Sequence, residues 1–288
     1  VVVAELSESE VSELENVEGV IVEEDFEVKA SGKSQKKKAL FKKIRKAVQS
    51  EKKKDDKMEW NFQAISVEQE DIKENAEIAK QSDEKVKIAV LDSGIDYISG
   101  LEVEKKVNLV EEEDYILPVY EDMTGHGTGI VSIIASDGET GVKGINPDAE
   151  IYSVKVLDKE NIAPISRIIK GIYWCIDHDI NIINMSFGTS KYSPALEKAV
   201  QDAYAANILL IGAAGNGSSG EVEYPAAFKE VMSVASTNEE GEISSFSNTG
   251  DELDVAAPGE KIKTAGFFNG CVVTHGTSIA VPHVTGVA

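Results

Sequence analysis

Four short stretches of this sequence set reactive side chains beside glycines. Asp92 closes the apolar run "KVKIAVLD" (85–92) and is followed by Ser-Gly. A carboxylate at the end of a buried strand needs a partner. His126 stands in "TGHGTG", just ahead of the apolar stretch "TGIVSIIAS" (128–136), so a helix can hold its imidazole rigidly at a sheet edge. Asn216 closes "NILLIGAAGN" (207–216), where its amide can donate a hydrogen bond. Ser278 lies in "THGTSIAVPHVTG" (274–286), where small residues lead into a helix. The first amides of such a helix are unpaired and can support an oxyanion. Taken singly, each residue has an ordinary explanation: Asp92 and Asn216 suit turns, and Ser278 suits a helix cap. Taken together, Asp, His and Ser in Gly-containing turns suit an orienting acid, a base and a nucleophile. Of the other histidines, His178 sits near a helix end, where a dipole contact is reason enough. His283 reads as packing within an apolar helix, and His275 is open to either reading.

The elements that must position these residues follow from periodicity. Residues 85–92, 150–157, 180–188 and 207–216 read as apolar strands, and 128–136, 164–179 and 193–206 as the helices between them. Strands alternating with helices predict an α/β fold with a parallel sheet. Ligands of such sheets bind at the carboxyl ends of the strands, here the turns "LDSG", "MSFG" and "AAGN". No GxGxxG or P-loop pattern follows a strand, which argues against nucleotide binding.

Residues 1–28 read as strand, helix, strand, with Ser7 capping the helix and Glu10 completing a capping box. That is half of a small α+β unit, too short to fold alone. Residues 29–57 form a charged linker, and from Met58 to 288 the composition is globular. The opening Val, without a Met or a signal peptide, predicts a fragment or a processed form.

Hydrophobic residues make up 42% of the 288, enough for a sizeable core. No apolar run reaches the roughly 18 residues that suggest a membrane span. The net charge of −22 is unevenly spread: residues 1–28 carry ten acids and no Lys or Arg, 29–57 carry 13 bases and three acids, and 58–288 carry 38 acids and 16 bases. So acidic a body argues against nucleic acid as a partner. Cys175 and Cys271 stand far apart, in no metal or redox spacing, and read as buried thiols, with a disulfide as the alternative.

Residues 85–288 resemble the catalytic domain of the subtilisin-like serine proteases. "VLDSGI", "GHGT", "AAGN" and "GTSIAVPH" match the Asp, His, oxyanion-Asn and Ser motifs; "MSFG" (185–188) matches the strand lining the substrate cleft, and "SFSNTGDELDVAAPG" (244–259) the segment before the Ser motif. Residues 1–28 are similar to the C-terminal half of the family's inhibitory propeptide. The resemblance implies a three-layer fold whose mainly parallel central sheet is flanked by helices, with a partial propeptide ahead of it and a helix cut short at the C-terminus. It implies hydrolysis of peptide bonds in proteins or peptides, with Ser278 as nucleophile, His126 as base and Asp92 as orienter, and with Asn216 in the oxyanion hole. It also implies substrate pairing at Ser186, Phe187 and Gly188, self-maturation with the propeptide as intramolecular inhibitor, and a secreted or cell-envelope location. A catalytically silent relative or a transpeptidase would use the same scaffold.

The sequence departs from the family's pattern at several places. Gly129 replaces a second His, and Ser132 a common Gly. Gly100 stands where the family often has a calcium-binding Asp, and the loop 136–144 is one residue shorter. Catalysis is expected to need no cofactor, while a structural calcium ion is left open. Glu223, just before Tyr-Pro, matches the base of the primary specificity pocket, where many relatives carry Gly. Either it is a solvated loop acid or it selects Lys or Arg before the scissile bond. With the basic linker as substrate, the second reading predicts a maturation cut within 36–57.

Overall fold

The computed structural model describes residues 2–31, 60–65, 85–110 and 122–288. Helix α1 (Glu8–Glu15) is capped as its sequence predicts: Ser7 Oγ accepts from the Glu10 amide, and Glu10 Oε2 accepts from the Ser7 amide at 2.8 Å. The strands expected on either side of it do not form. Residues 2–7 are irregular, and the second strand arises later, as β1 (Glu27–Ala30). The stretch "GVIVEE" has the composition of a strand but no strand beside it, and pairing decides the outcome. Helix α2 (Trp60–Ala64) buries Asn61 and Phe62.

The chain then runs through β2 (Lys87–Asp92), β3 (Lys105–Asn108), α3 (His126–Ala135), β4 (Glu150–Lys155), β5 (Ile162–Pro164) and α4 (Ile165–Ile176). It continues with β6 (Ile182–Met185), β7 (Phe187–Gly188), α5 (Pro194–Ala205), β8 (Leu209–Ala213), β9 (Val231–Thr237), β10 (Val255–Pro258), the hairpin β11 (Ile262–Gly266) and β12 (Gly270–Thr274), and α6 (Thr277–Val287). Seven strands form one sheet in the order β10-β9-β8-β6-β2-β4-β3, every pairing parallel. Helices α4 and α5 cover one face and α3 and α6 the other. This is the three-layer α/β architecture expected.

Successive residues of β2 show how the layers are held. Ala89 and Leu91 join Ile168, Ile172 and Leu210 under α4 and α5, while Ile88 and Val90 join Ile130, Ile134 and Val281 under α3 and α6. Side chains alternate across a strand, and burial on both faces is why the strands read as unbroken apolar runs. The expected strands are all trimmed at their ends, and two of them for visible reasons. The run 180–188 breaks at Ser186 into β6 and β7, and Val156 and Leu157 leave β4 to donate their amides to the Asp92 carbonyl at 2.8 and 3.0 Å.

His283, read from sequence as packing, is fully buried and also hydrogen-bonded. Its Nδ1 donates to the Ile279 carbonyl at 2.9 Å, leaving Nε2 to accept from Asn61 Nδ2 at 2.9 Å. Helix α6 is thereby tied to α2 across 222 residues of sequence. Burial lowers the imidazole from its ordinary 6.5 to about 4. Between those values the unfolded chain binds a proton that the folded chain does not, so stability is lost as pH falls through this window. The loss is expected to reach about 3 kcal/mol. Denaturant unfolding at pH 7 and pH 4 checks it, with His283→Gln flattening the difference.

Candidate active site

Asp92 ends β2 at the carboxyl edge of the sheet and is 1% exposed. Its Oδ1 lies 2.7 Å from His126 Nδ1 and also accepts from the Ser93 amide at 2.7 Å. Nδ1 therefore carries the proton, and Nε2 keeps its lone pair. His126 opens α3, whose first turn approaches β2 so closely that a Cβ on Gly127 would lie 2.2 Å from the Gly94 carbonyl oxygen. Only glycine fits there, which explains one of the glycines flanking His126. Burial works to lower the His126 pKa, but the charge and hydrogen bond of Asp92, with Asp122 behind, outweigh it, and the net shift is upward from 6.5.

Ser278 is the second residue of α6, which packs beside α3. Its Oγ and His126 Nε2 are both buried without a hydrogen-bond partner among the described residues. Pro282 lies inside α6 and has no N–H to return to the Ser278 carbonyl four residues back. Ser186 Oγ takes over, donating to that carbonyl at 2.9 Å. The proline in the Ser motif and the serine in the cleft motif thus answer one another.

Asn216 Oδ1 accepts from the Thr277 amide at 2.9 Å, so its Nδ2 points the other way, onto the carbonyl oxygen of Ser31 at 2.5 Å. The Ser278 amide donates to the same oxygen at 3.4 Å. Gly276, at φ 149°, supplies a ruler. A Cβ there would lie 2.7 Å from Ser31 O, 3.1 Å from Ser278 Oγ and 3.5 Å from Asn216 Nδ2. Hydroxyl, amide and carbonyl converge around one point, which only glycine leaves open.

Residue 31 is delivered by β1, which lies antiparallel between β5 and β7 in a separate three-stranded sheet. Lys29 pairs with Gly188 and Ala30 with Phe187, and the Ser31 amide donates to the Ser186 carbonyl at 3.1 Å. Ser186 and Gly188 stand where expected. Phe187 pairs through its backbone, but its side chain is fully buried in the core. Ahead of β1, Asp25 accepts from the Ser166 amide and hydroxyl at 2.9 and 2.7 Å, in the first turn of α4, and Glu23 accepts from Ser193 Oγ, the cap of α5, at 2.5 Å. Val28 adds a wholly buried side chain to the core.

Glu223 lies between the backbones of Gly188 and Gly215. A Cβ on the first would meet its Oε2 at 2.4 Å, and one on the second its Cδ at 2.7 Å. Partial burial raises its pKa. At Gly100 the place of a side chain is taken by Asp137, whose Oδ1 accepts from the Glu139 amide at 2.8 Å. Among the described residues no three His, Cys, Asp or Glu side chains gather as a metal-binding group. Ser132 uses its hydroxyl within the scaffold, donating to the Gly129 carbonyl at 2.7 Å and accepting from the Ala265 amide at 2.9 Å. Cys175 is buried, and Cys271 is partly buried with its thiol donating to the Thr140 carbonyl at 3.0 Å. No helix among the described residues is long and apolar enough to cross a membrane.

The family model of the subtilase family matches residues 83–288. The chain belongs to the subtilase family. Among subtilase relatives it is 40% identical over 203 residues to the "Thermostable alkaline protease" of Halalkalibacterium halodurans, covering 70% of this chain and 55% of that protein. It is 39% identical over 228 residues to the "Minor extracellular protease Epr" of Bacillus subtilis, covering 78% and 34%. The crystal structure of a cold adapted subtilisin-like serine proteinase superposes with a TM-score of 0.63 at 30% identity, covering 70% of this chain and 73% of that one. The chain spans about half the length of subtilase relatives such as the alkaline protease. Within the subtilase domain Asp92 and His126 meet directly, and Asn216 and Ser278 meet at the Ser31 carbonyl. Sequence reasoning missed Ser31, Glu23 and Asp25. The signal for Ser31 was a short extended run closing on two small residues just ahead of the basic stretch.

Proposed function

We propose that this chain is a self-processing serine endopeptidase. One observation carries the reading: the Ser31 carbonyl oxygen accepts from both Asn216 Nδ2 and the Ser278 amide. Donors aimed at a carbonyl in this way stabilise the charge that develops when it is attacked. Ser278 Oγ attacks the Ser31 carbonyl carbon while His126 Nε2 takes the hydroxyl proton. Asp92 holds the imidazolium, and the oxyanion stays with Asn216 and the Ser278 amide. Collapse breaks the bond to Gly32, whose amine leaves with the proton from His126. Water, deprotonated by the same imidazole, then releases the acyl group from Ser278. The chemistry draws on these side chains alone.

The window 36–57 lies outside the described residues; the contacts of Ser31 support a cut ahead of it, between Ser31 and Gly32. Residues 1–31 are then the inhibitory segment, held by β1, Glu23 and Asp25. A basic run links it to a catalytic domain from Met58 onward, and export from the cell is part of the same reading. One relative is named extracellular and another intracellular. Glu223, its carboxylate set between the backbones of Gly188 and Gly215, favours Lys or Arg before the bond cut in other proteins. Ser31 lacks that charge, and tethering compensates by raising its effective concentration.

Mass spectrometry of the full chain, with Ser278→Ala as control, tests this. The expected products are a fragment beginning at Gly32 and peptides cut after Lys or Arg, both absent from the control. A different new N-terminus overturns the processing site, cuts after other residues overturn the role of Glu223, and no cleavage of any substrate overturns the enzyme.

A further inference from the structure

Asp122 has no part in the roles just assigned, yet it is wholly buried and stands four residues before His126. Its Oδ1 accepts from Ser93 Oγ at 2.8 Å, the Thr124 amide and hydroxyl at 3.1 Å each, and the Gly125 amide at 2.9 Å. Its Oδ2 accepts from the Thr128 amide at 2.9 Å and hydroxyl at 2.7 Å. Three of these donors are amides of the turn that enters α3 and of its first turn. Gly125, at the cap position, has no side chain to satisfy them. Asp122 does so from outside the helix.

A second link reaches Asp92. Ser93 Oγ has one proton and lies 2.8 Å from Asp122 Oδ1 and 3.1 Å from Asp92 Oδ1, while it accepts from the Gly127 amide at 3.0 Å; the single Thr124 hydroxyl proton is likewise shared between Ser93 Oγ at 3.0 Å and Asp122 Oδ1 at 3.1 Å. One hydroxyl thus stands between two buried carboxylates, and whichever receives its proton has its charge damped.

We propose that Asp122 is a positioning residue for the hydrolysis: it fixes the entrance of α3 that delivers His126, and its charge, shared through Ser93, helps to hold the imidazolium. The proposal rests on the catalytic reading above. Among the described residues, the charged groups acting on the imidazole are Asp92 from β2 and Asp122 from the turn before α3. Lys155 from β4 turns its ammonium to the Ser93 carbonyl at 2.7 Å, and His275, ahead of α6, is exposed. The upward shift of His126 already includes a contribution from Asp122, after burial and Asp92.

The test compares the acid limb of kcat/KM against pH for the self-processed wild type, Asp122→Asn and Ser93→Ala. Loss of the charge in Asp122→Asn is expected to move the limb to lower pH and to cut kcat roughly tenfold with little change in KM. Removal of the damping hydroxyl in Ser93→Ala is expected to move it up. A residue that only braces the fold would lower activity or Tm in both without opposed shifts. Unmoved limbs, or shifts of one sign, overturn the proposal. If Asp122→Asn does not fold, the upward shift in Ser93→Ala decides alone. A wild type that neither hydrolyses peptide nor takes up a fluorophosphonate overturns the catalytic reading itself, and this proposal with it, whereas an active wild type with unmoved limbs overturns this proposal only.

Discussion

A full chain carrying Ser278→Ala is expected to hydrolyse no peptide, to take up no fluorophosphonate and to keep its Ser31–Gly32 bond. The loss in kcat should be on the order of 10⁶, a magnitude established for subtilisin itself and carried over here through the family. The geometry adds a second expectation of opposite sign. Among the described residues Ser278 Oγ is buried without a hydrogen-bond partner, so no bond to the fold is lost with it. Its removal should leave Tm unchanged or raise it, by up to about 1–2 kcal/mol of stability. Peptide turnover, active-site labelling and thermal unfolding of one variant check all of this. Surviving turnover would show that the nucleophile lies elsewhere; a large fall in Tm would show that the hydroxyl is structural.

Asp92→Asn is expected to give the next largest effect, a fall in kcat of up to roughly 10⁴, the size known for the corresponding change in another serine protease. Asp92 Oδ1 serves the imidazole and the Ser93 amide, while Oδ2 is buried with no partner among the described residues. An asparagine can keep its oxygen toward His126, but its amide then sits unpaired in the Oδ2 position. If it turns instead, a donor faces Nδ1 and the wrong tautomer is favoured. Either way the charge that supports the imidazolium is gone. Steady-state kinetics should show the loss in kcat, with KM little altered, since the residue does not meet the substrate.

Much of the site was legible because the reactive residues stand where strands end and helices begin, and glycine marks those turns for steric reasons. Asp92, His126, Asn216 and Ser278 could be found from such punctuation alone. The strand before Ser31 was misplaced because "GVIVEE" has the better propensity, while "EVKA" has the better neighbours. Pairing with β5 and β7 is a property of the folded cleft and leaves no periodic trace in a four-residue strand. Asp122 escaped notice for a related reason. A lone acid in a turn looks solvated until the fold surrounds it with donors.

Ser186 meets the chain on both sides. Through its carbonyl it receives the amide of Ser31, and through its hydroxyl it holds the carbonyl of Ser278. The Ser31 backbone and Ser278 are therefore measured from one common datum. A shift of the cleft strand carries both along, so their relative alignment survives small movements of the rim. The break that Pro282 makes in its own helix is what frees the Ser278 carbonyl to take part in this shared reference.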